Sequence, residues 1–179
     1  MTDTNTEDHH LVAEVKKDPR AFNSLYLKYV QPVYRYALSR IGSRAEAEDA
    51  VSQTFLAALE GFPRYRDDGH FAAWLFAIAR RKTIDHFRGT GRTTDLTDSY
   101  PSMEKDLFLQ VEQHDRLAKL TSAILALPEA DQELLRFRYA AELNFAEIGK
   151  LTHLSPDAAK KRLYRLLDRL RSRLEEYND

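Results

Sequence analysis

Seven of the fourteen residues from Lys160 to Arg173 are Lys or Arg, and only Asp168 among them is acidic. Such side chains clamp phosphates, and placed in a major groove they read the edge of guanine. At about 100° per residue, Ala159, Leu163, Leu166, Leu167, Leu170 and Leu174 share one face that packs inward. Asp157, Lys161, Tyr164, Arg165 and Asp168 point the other way, with Lys160 at their edge. A solvated charged helix would show the same pattern, so the preceding residues decide. Asn144 and Glu147 form a capping box that starts a short helix through Ile148 and Leu151, and "THL" makes a tight turn. Ser155 then caps the basic helix, with Pro156 at its first position. A short helix, a turn of about three residues and a basic second helix make a helix-turn-helix, whose second helix enters the major groove.

Two further stretches carry residues of functional type. After Ser43 and Glu46, which read as a capping box, Ala47, Ala50, Val51, Thr54 and Ala58 form the inward arc of a helix. Asp49, Ser52, Gln53 and Leu56 lie opposite. A Leu ringed by polar and acidic groups suggests a docking face, although one exposed Leu is also ordinary surface. In "FAAWLFAIARRKTIDHFRG", Phe71, Trp74, Leu75 and Ile78 make a core stripe. Phe76, Ile84 and Phe87 make a second stripe among Arg80, Arg81, Lys82 and Arg88. Aromatics among positive charge suit single-stranded nucleic acid, while packing against neighbouring helices accounts for the same residues. No Gly-rich phosphate loop, HExxH pattern or nucleophile elbow is present, and His70, His86, His114 and His153 have no ligand spacing. The expectation is a non-enzyme with no cofactor and no metal. His9 and His10 are a formal metal pair, but an acidic, polar tail is the simpler reading of "MTDTNTEDHH".

These stretches need scaffolds, and the composition points to helices. Among 179 residues, Gly and Pro number six each, 43% are hydrophobic and 31% charged, and alternating strand-like runs are missing. Phe22, Leu25, Tyr26, Tyr29, Val33, Ala37 and Ile41 recur at helical spacing, with Pro32 expected to split the stretch in two. Gly61 and Pro63 stop the next helix, and the polar loop "RYRDDGH" leads to a helix from about Phe71 to Arg88. From Thr93 to Asp115 six acids face Lys105 alone, with turn formers and Pro101, so this is a linker. Helicity resumes from about Phe108 to Leu127, and Pro128 opens another helix through Tyr139. The expected architecture is all-α: two small helical domains joined by an acidic linker, the second a helix-turn-helix. The boundaries are 1–17 for a tail and the start of the first helix, 18–92 for the first domain, 93–114 for the linker and 115–179 for the second domain. The chain has no cysteine, which excludes disulfides and thiol sensing and fits a reducing cytoplasm. No apolar run approaches the roughly 18 residues that span a bilayer, and the start does not resemble a signal peptide.

At these residues the chain resembles the extracytoplasmic-function (ECF, group IV) sigma factors of the bacterial sigma-70 family. The likeness is carried by "AFNSLYLKYVQPVYRYAL", "AEDAVSQTFLAAL", "FAAWLFAIARRKTIDHFR" and "NFAEIGKLTHLSPDAAKKRLYRLLDRLRSRL", in that order, from about Asp18 to Glu176. The resemblance implies a factor that binds core RNA polymerase and directs promoter recognition and opening. It implies polymerase contacts at Glu48, Asp49, Ser52, Gln53 and Leu56 in a region 2 domain. Minus-ten DNA would meet the loop residues Arg64, Tyr65, Arg66, Asp67, Asp68 and His70, which capture a flipped base, and Trp74, Arg80, Arg81 and Arg88. Minus-35 DNA would meet Ser155, Asp157, Lys160, Lys161, Arg162, Tyr164 and Arg165 of a region 4 domain. The linker would follow the RNA path through the polymerase, its acids standing in for nucleic acid. An anti-sigma factor or similar protein regulator is the further implied partner.

Three positions depart from the family pattern: Ser52 where Gln is usual, Gln53 where an acid is usual, and His153 where the turn usually has Gly. Phosphorylation of Ser52 would restore charge to the docking face, making it a candidate phosphosite. The plainer account is a Ser52 hydroxyl bonded to its own helix. The alternative for the whole chain is a helix-turn-helix regulator that acts without core polymerase, usually as a dimer on a palindrome.

Overall fold

The computed structural model describes residues 4–90 and 117–176, and among them every regular element is helical. The acidic linker foreseen at 93–114 lies outside the described residues. The helices are α1 (Thr4–Lys17), α2 (Phe22–Ile41), α3 (Arg44–Gly61), α4 (Phe71–Thr90), α5 (residues 117–125), α6 (Glu129–Leu135), α7 (Phe145–Thr152) and α8 (Pro156–Glu176). A single π-turn, Arg136–Ala140, extends α6.

The first four helices share a core. Val12 and Val15 of α1, Leu25, Val33 and Ala37 of α2, Ala47, Ala50 and Ala58 of α3, and Phe71, Leu75 and Phe76 of α4 are all buried. The small residues of α3 let it lie close to α2. Residues 4–17 therefore form a packed helix and not a tail. His9 Nδ1 stands 2.6 Å from Asp67, and His10 pairs with Glu14.

Three local expectations change. Pro32 sits inside one continuous α2. Proline removes one i→i−4 bond, but Tyr29, Val33, Tyr36 and Ala37 on both sides of it are buried, and that packing outweighs the lost bond. Ser43 has the extended backbone of an N-cap, yet its side chain caps nothing. Glu46 stands instead 3.5 Å from His86 on α4, so a tertiary contact displaced the box. Phe76 is fully buried, edge-on to Tyr36 at 5.6 Å, and Phe87 is partly buried against the core. The second aromatic stripe of α4 is thus packing.

The second half is organised around α7 and α8. Asn144 Oδ1 accepts from the Glu147 amide at 3.0 Å and the Glu147 carboxylate accepts from the Asn144 amide at 2.7 Å, which completes the capping box. Ser155 Oγ accepts from the Ala158 amide at the start of α8. Between the helices His153 takes φ 57°, ψ 35°, and the His153 and Leu154 amides both donate to the Gly149 carbonyl. A Cβ on Gly149 would lie 2.6 Å from the Leu154 carbonyl oxygen, so the tight turn requires glycine there.

Two substitutions test the turn in opposite directions. A non-glycine residue in the left-handed region costs about 1–2 kcal/mol, and glycine returns about 0.4–1 kcal/mol of that as unfolded-chain entropy. His153→Gly should therefore raise unfolding free energy by up to about 1.5 kcal/mol. Gly149→Ala should lower it by about 1–3 kcal/mol through overpacking. Denaturant titration of the full chain reads both, and a neutral Gly149→Ala would show that the turn can relax.

Candidate nucleic-acid interface

The face of α8 that carries the basic residues is open. Ala159, Leu163, Leu166 and Leu170 are buried, while Asp157, Lys160, Lys161, Tyr164 and Arg165 are exposed, Tyr164 by 53%. Arg162, placed among the DNA residues by sequence, is also spent internally: its Nε donates to Asp131 Oδ1 at 2.8 Å. Arg169 reaches the other oxygen of Asp131 at 3.1 Å. A buried acid on α6 thus helps to fix the pose of α8. Asp131 stands three and four residues before Leu134 and Leu135, on a stripe otherwise apolar. That spacing is the one sequence signal for it.

On α3, Glu48, Asp49, Ser52, Gln53 and Leu56 are all exposed, Leu56 by 59%. Leu59 and, across on α2, Tyr26 and Leu27 are exposed nearby, with Tyr26 edge-on to Phe55 at 4.8 Å. The result is an apolar face beside two acids. Gln53 Nε2 donates to Asp49 Oδ2 at 2.6 Å, and Ser52 Oγ donates to the Glu48 carbonyl at 3.0 Å. Both departures from the family pattern are therefore satisfied within the helix.

The loop from Arg64 to His70 rests on an aromatic cluster. Tyr65 is buried between Trp74 at 4.8 Å and Phe71 at 5.6 Å, with Phe62 beneath. Burial and the adjacent Asp67 push the Tyr65 phenol up, so it stays protonated. Asp67 accepts from the Gly69 amide and faces His9, while Arg64, Arg66 and Asp68 are exposed. Asp68 pairs with Lys150 of α7 at 2.7 Å, and that hydrogen bond holds its carboxyl below the usual range. On α4, Trp74 is half-buried, and Arg81 and Arg88 are exposed beside Asp85. Arg80 Nε lies 3.3 Å from Glu133 of α6.

Glu133 is the functional-type residue that sequence reasoning missed. Its carboxylate is buried against Arg40 of α2, Arg136, Arg80 and the Tyr36 hydroxyl, which donates at 2.6 Å. Tyr36 stacks on Phe137 at 5.6 Å with planes 5° apart, so the two halves of the chain meet through a shared core. Nearby, Glu147 of α7 is buried close to Asp8 and Lys28. Burial lifts its carboxyl above the usual range and Asp8 adds to this, while the Asn144 amide and Lys28 pull the other way.

The sigma-70 region 2 family profile matches residues 25–93, and the sigma-70 region 4 profile matches residues 117–170. The ECF RNA polymerase sigma factor ShbA of Streptomyces griseus is 34% identical over 177 residues, covering 90% of this chain and 92% of ShbA. The chain belongs to the ECF RNA polymerase sigma factors. BldN of Streptomyces coelicolor is 33% identical over 154 residues, or 81% of this chain, which spans only 57% of BldN's length. CnrH, solved with the cytosolic domain of CnrY, shares the fold at a TM-score of 0.68 and 23% identity, covering 94% of this sigma factor and 97% of CnrH. A sigma factor is a transcription initiation factor and not an enzyme. It binds core RNA polymerase and recognises promoter DNA. No described helix is long and apolar enough to cross a membrane.

Glu147 gives this sigma factor a signed pH dependence. Its folded pKa lies above the unfolded value, so its contribution to stability is full below about pH 4.5 and is lost as pH rises through the folded value. Glu147→Gln keeps an oxygen for the Asn144 amide and removes that titration. The wild-type minus variant difference in unfolding free energy should therefore fall between pH 4.5 and 7. A constant difference would mean that Glu147 titrates normally.

Proposed function

We propose that the open face of α3 docks on core polymerase, that the loop Arg64–His70 with α4 opens the minus-ten element, and that α8 reads the minus-35 element. The carrying observation is the partition of side chains: acids and apolar residues are exposed on α3, and cations on α8 and the far side of α4. Asp49 with Glu48 and Leu56 suits a basic, partly apolar partner helix. Gln53 lends Asp49 a hydrogen bond in place of a second charge. Lys160, Lys161, Tyr164 and Arg165, with Ser155 and Asp157 at the helix start, are the minus-35 residues; Arg162 supports them through Asp131. Tyr65 and Trp74 form the floor of the minus-ten loop, and Arg64, Arg66, Asp67, Asp68 and His70 its rim. The protein works in the cytoplasm, where core polymerase is. An anti-sigma protein is its regulator, a reading supported by the similar fold of RpoE from Bartonella quintana, which was solved in complex with the anti-sigma factor NepR. Ser52 is exposed and open to phosphorylation, although its hydroxyl already bonds its own helix.

Run-off transcription with core polymerase separates this reading from that of a regulator acting alone, which would bind DNA but never start a transcript. Arg165→Ala should weaken minus-35 binding by about 1–3 kcal/mol and relax preference at one base pair. Asp49→Ala should weaken core binding by about 1.5–3 kcal/mol, and by more at low salt, where exposed charges are less screened. Core affinity untouched by Asp49→Ala at every salt concentration would move the docking face off α3.

A further inference from the structure

We propose that His9 of α1 is a positioning residue for the minus-ten loop: it holds the Asp67 carboxylate, and through it the turn Arg64–His70, in the shape that receives the extruded base. The proposal deepens the assignment of that loop to the minus-ten element and rests on it. His9 Nδ1 stands 2.6 Å from Asp67 Oδ2, while Asp67 Oδ1 accepts from the Gly69 amide at 3.1 Å. Gly69 takes φ 77°, the left-handed conformation that turns the chain back toward α4. The Asp67–Gly69 bond shapes the turn locally. The His9 contact ties that turn to a separate helix, so it decides where the turn sits. Beside Asp67 the buried Tyr65 hydroxyl makes no hydrogen bond. A buried hydroxyl without a partner is costly, so a carboxylate released from His9 would be drawn to it and would pull the loop onto its own floor.

The helix that presents His9 is itself anchored. Asp8, the preceding residue, is buried, accepts a hydrogen bond from the Tyr29 hydroxyl and pairs with Lys28 of α2 at 2.7 Å. Val12 and Val15 follow it into the core. The Tyr29 ring lies 5.6 Å from Phe71, and Phe71 lies 5.6 Å from Tyr65. The anchor of α1 and the floor of the loop thus share one aromatic cluster. The His9 side chain is 67% exposed and takes no part in that packing, whereas the Asp67 side chain is only 9% exposed. The contact therefore bears on the loop and not on the core. The region 2 profile begins at residue 25, so α1 precedes the residues it matches. None of these groups belongs to the helix-turn-helix half.

The test is run-off transcription by the full chain with core polymerase, on promoters that differ only at the minus-ten base. The readout is the ratio of transcript from the preferred base to that from the next best. His9→Ala should lower this ratio about two- to fivefold, the range open to an exposed ion pair, and leave core affinity unchanged. His9→Asn should keep the ratio, because an Asn side-chain amide places a donor nitrogen where His Nδ1 stands. Asp67→Ala should lower the ratio by itself, and adding His9→Ala should lower it no further. A wild-type ratio in His9→Ala overturns the proposal. So does a His9→Asn variant no better than His9→Ala, or losses that multiply in the double variant. Reduced core affinity in His9→Ala also overturns it, by making α1 a general support of the domain. Replacing the whole loop, residues 64–70, separates the two possible failures. If that swap changes the preferred base while His9→Ala does not, only the role of His9 falls. If the swap leaves the preference unchanged, the minus-ten assignment of the loop falls with it.

Discussion

One buried carboxylate, Glu133, holds the arrangement together. Taking a carboxylate and two guanidinium groups out of water is costly, and the cost is met only where the geometry satisfies each of them. Arg40 comes from α2, Arg136 from the same helix turn, Arg80 from α4, and the Tyr36 hydroxyl completes the shell. Glu129 at the rim adds a second acid 3.1 Å from both Arg40 and Arg136. Removing the acid would leave Arg40 and Arg136 buried without an adequate countercharge. The half carrying the helix-turn-helix therefore sits on the other half by a polar lock set beside an apolar stack. The apolar stack contributes attraction, and the polar lock contributes direction, since guanidinium and carboxylate groups tolerate few relative orientations.

The same chemistry links the fold to its work. A surface built to meet phosphate is cationic, and a protein whose net charge is −1 must keep its acids from quenching that surface at random. In this sigma factor the acids have assigned positions. Asp131 pairs with Arg162 and Arg169 at the flank of α8 and leaves Lys160, Lys161 and Arg165 open. Glu133 takes up Arg80 of α4, and Asp68 pairs with Lys150 of α7. Asp49 and Glu48 stay exposed on the outer face of α3.

Local chemistry was legible in the chain wherever one helix turn contains all the partners. The Asn144–Glu147 box, the Ser155 cap, the left-handed turn at His153 and the inward faces of α3 and α8 all depend on residues within four positions of one another. Where a neighbour from elsewhere competes, the local reading gave way. Glu46 turned to His86 and left Ser43 without its box. Pro32 stayed inside α2 because buried residues on both sides hold the helix. Phe76 and Phe87, set among cations in sequence, went inward because Tyr36 and the core lay there. Tyr65 and Trp74, expected at the DNA, are first of all a packed pair that supports the loop.

By itself the sequence determined the all-helical class, the helix-turn-helix, the family and the faces of α3 and α8, because periodicity and capping are properties of neighbours along the chain. The tertiary structure alone decided which cations are spent and which are free. Arg80, Arg162 and Arg165 look alike in sequence. Their fates differ because Glu133 and Asp131, 53 and 31 positions away, reach the first two, and no acid among the described residues pairs with the third. A charge is neutralised by what lies within about 4 Å of it in space, and that distance is set by packing.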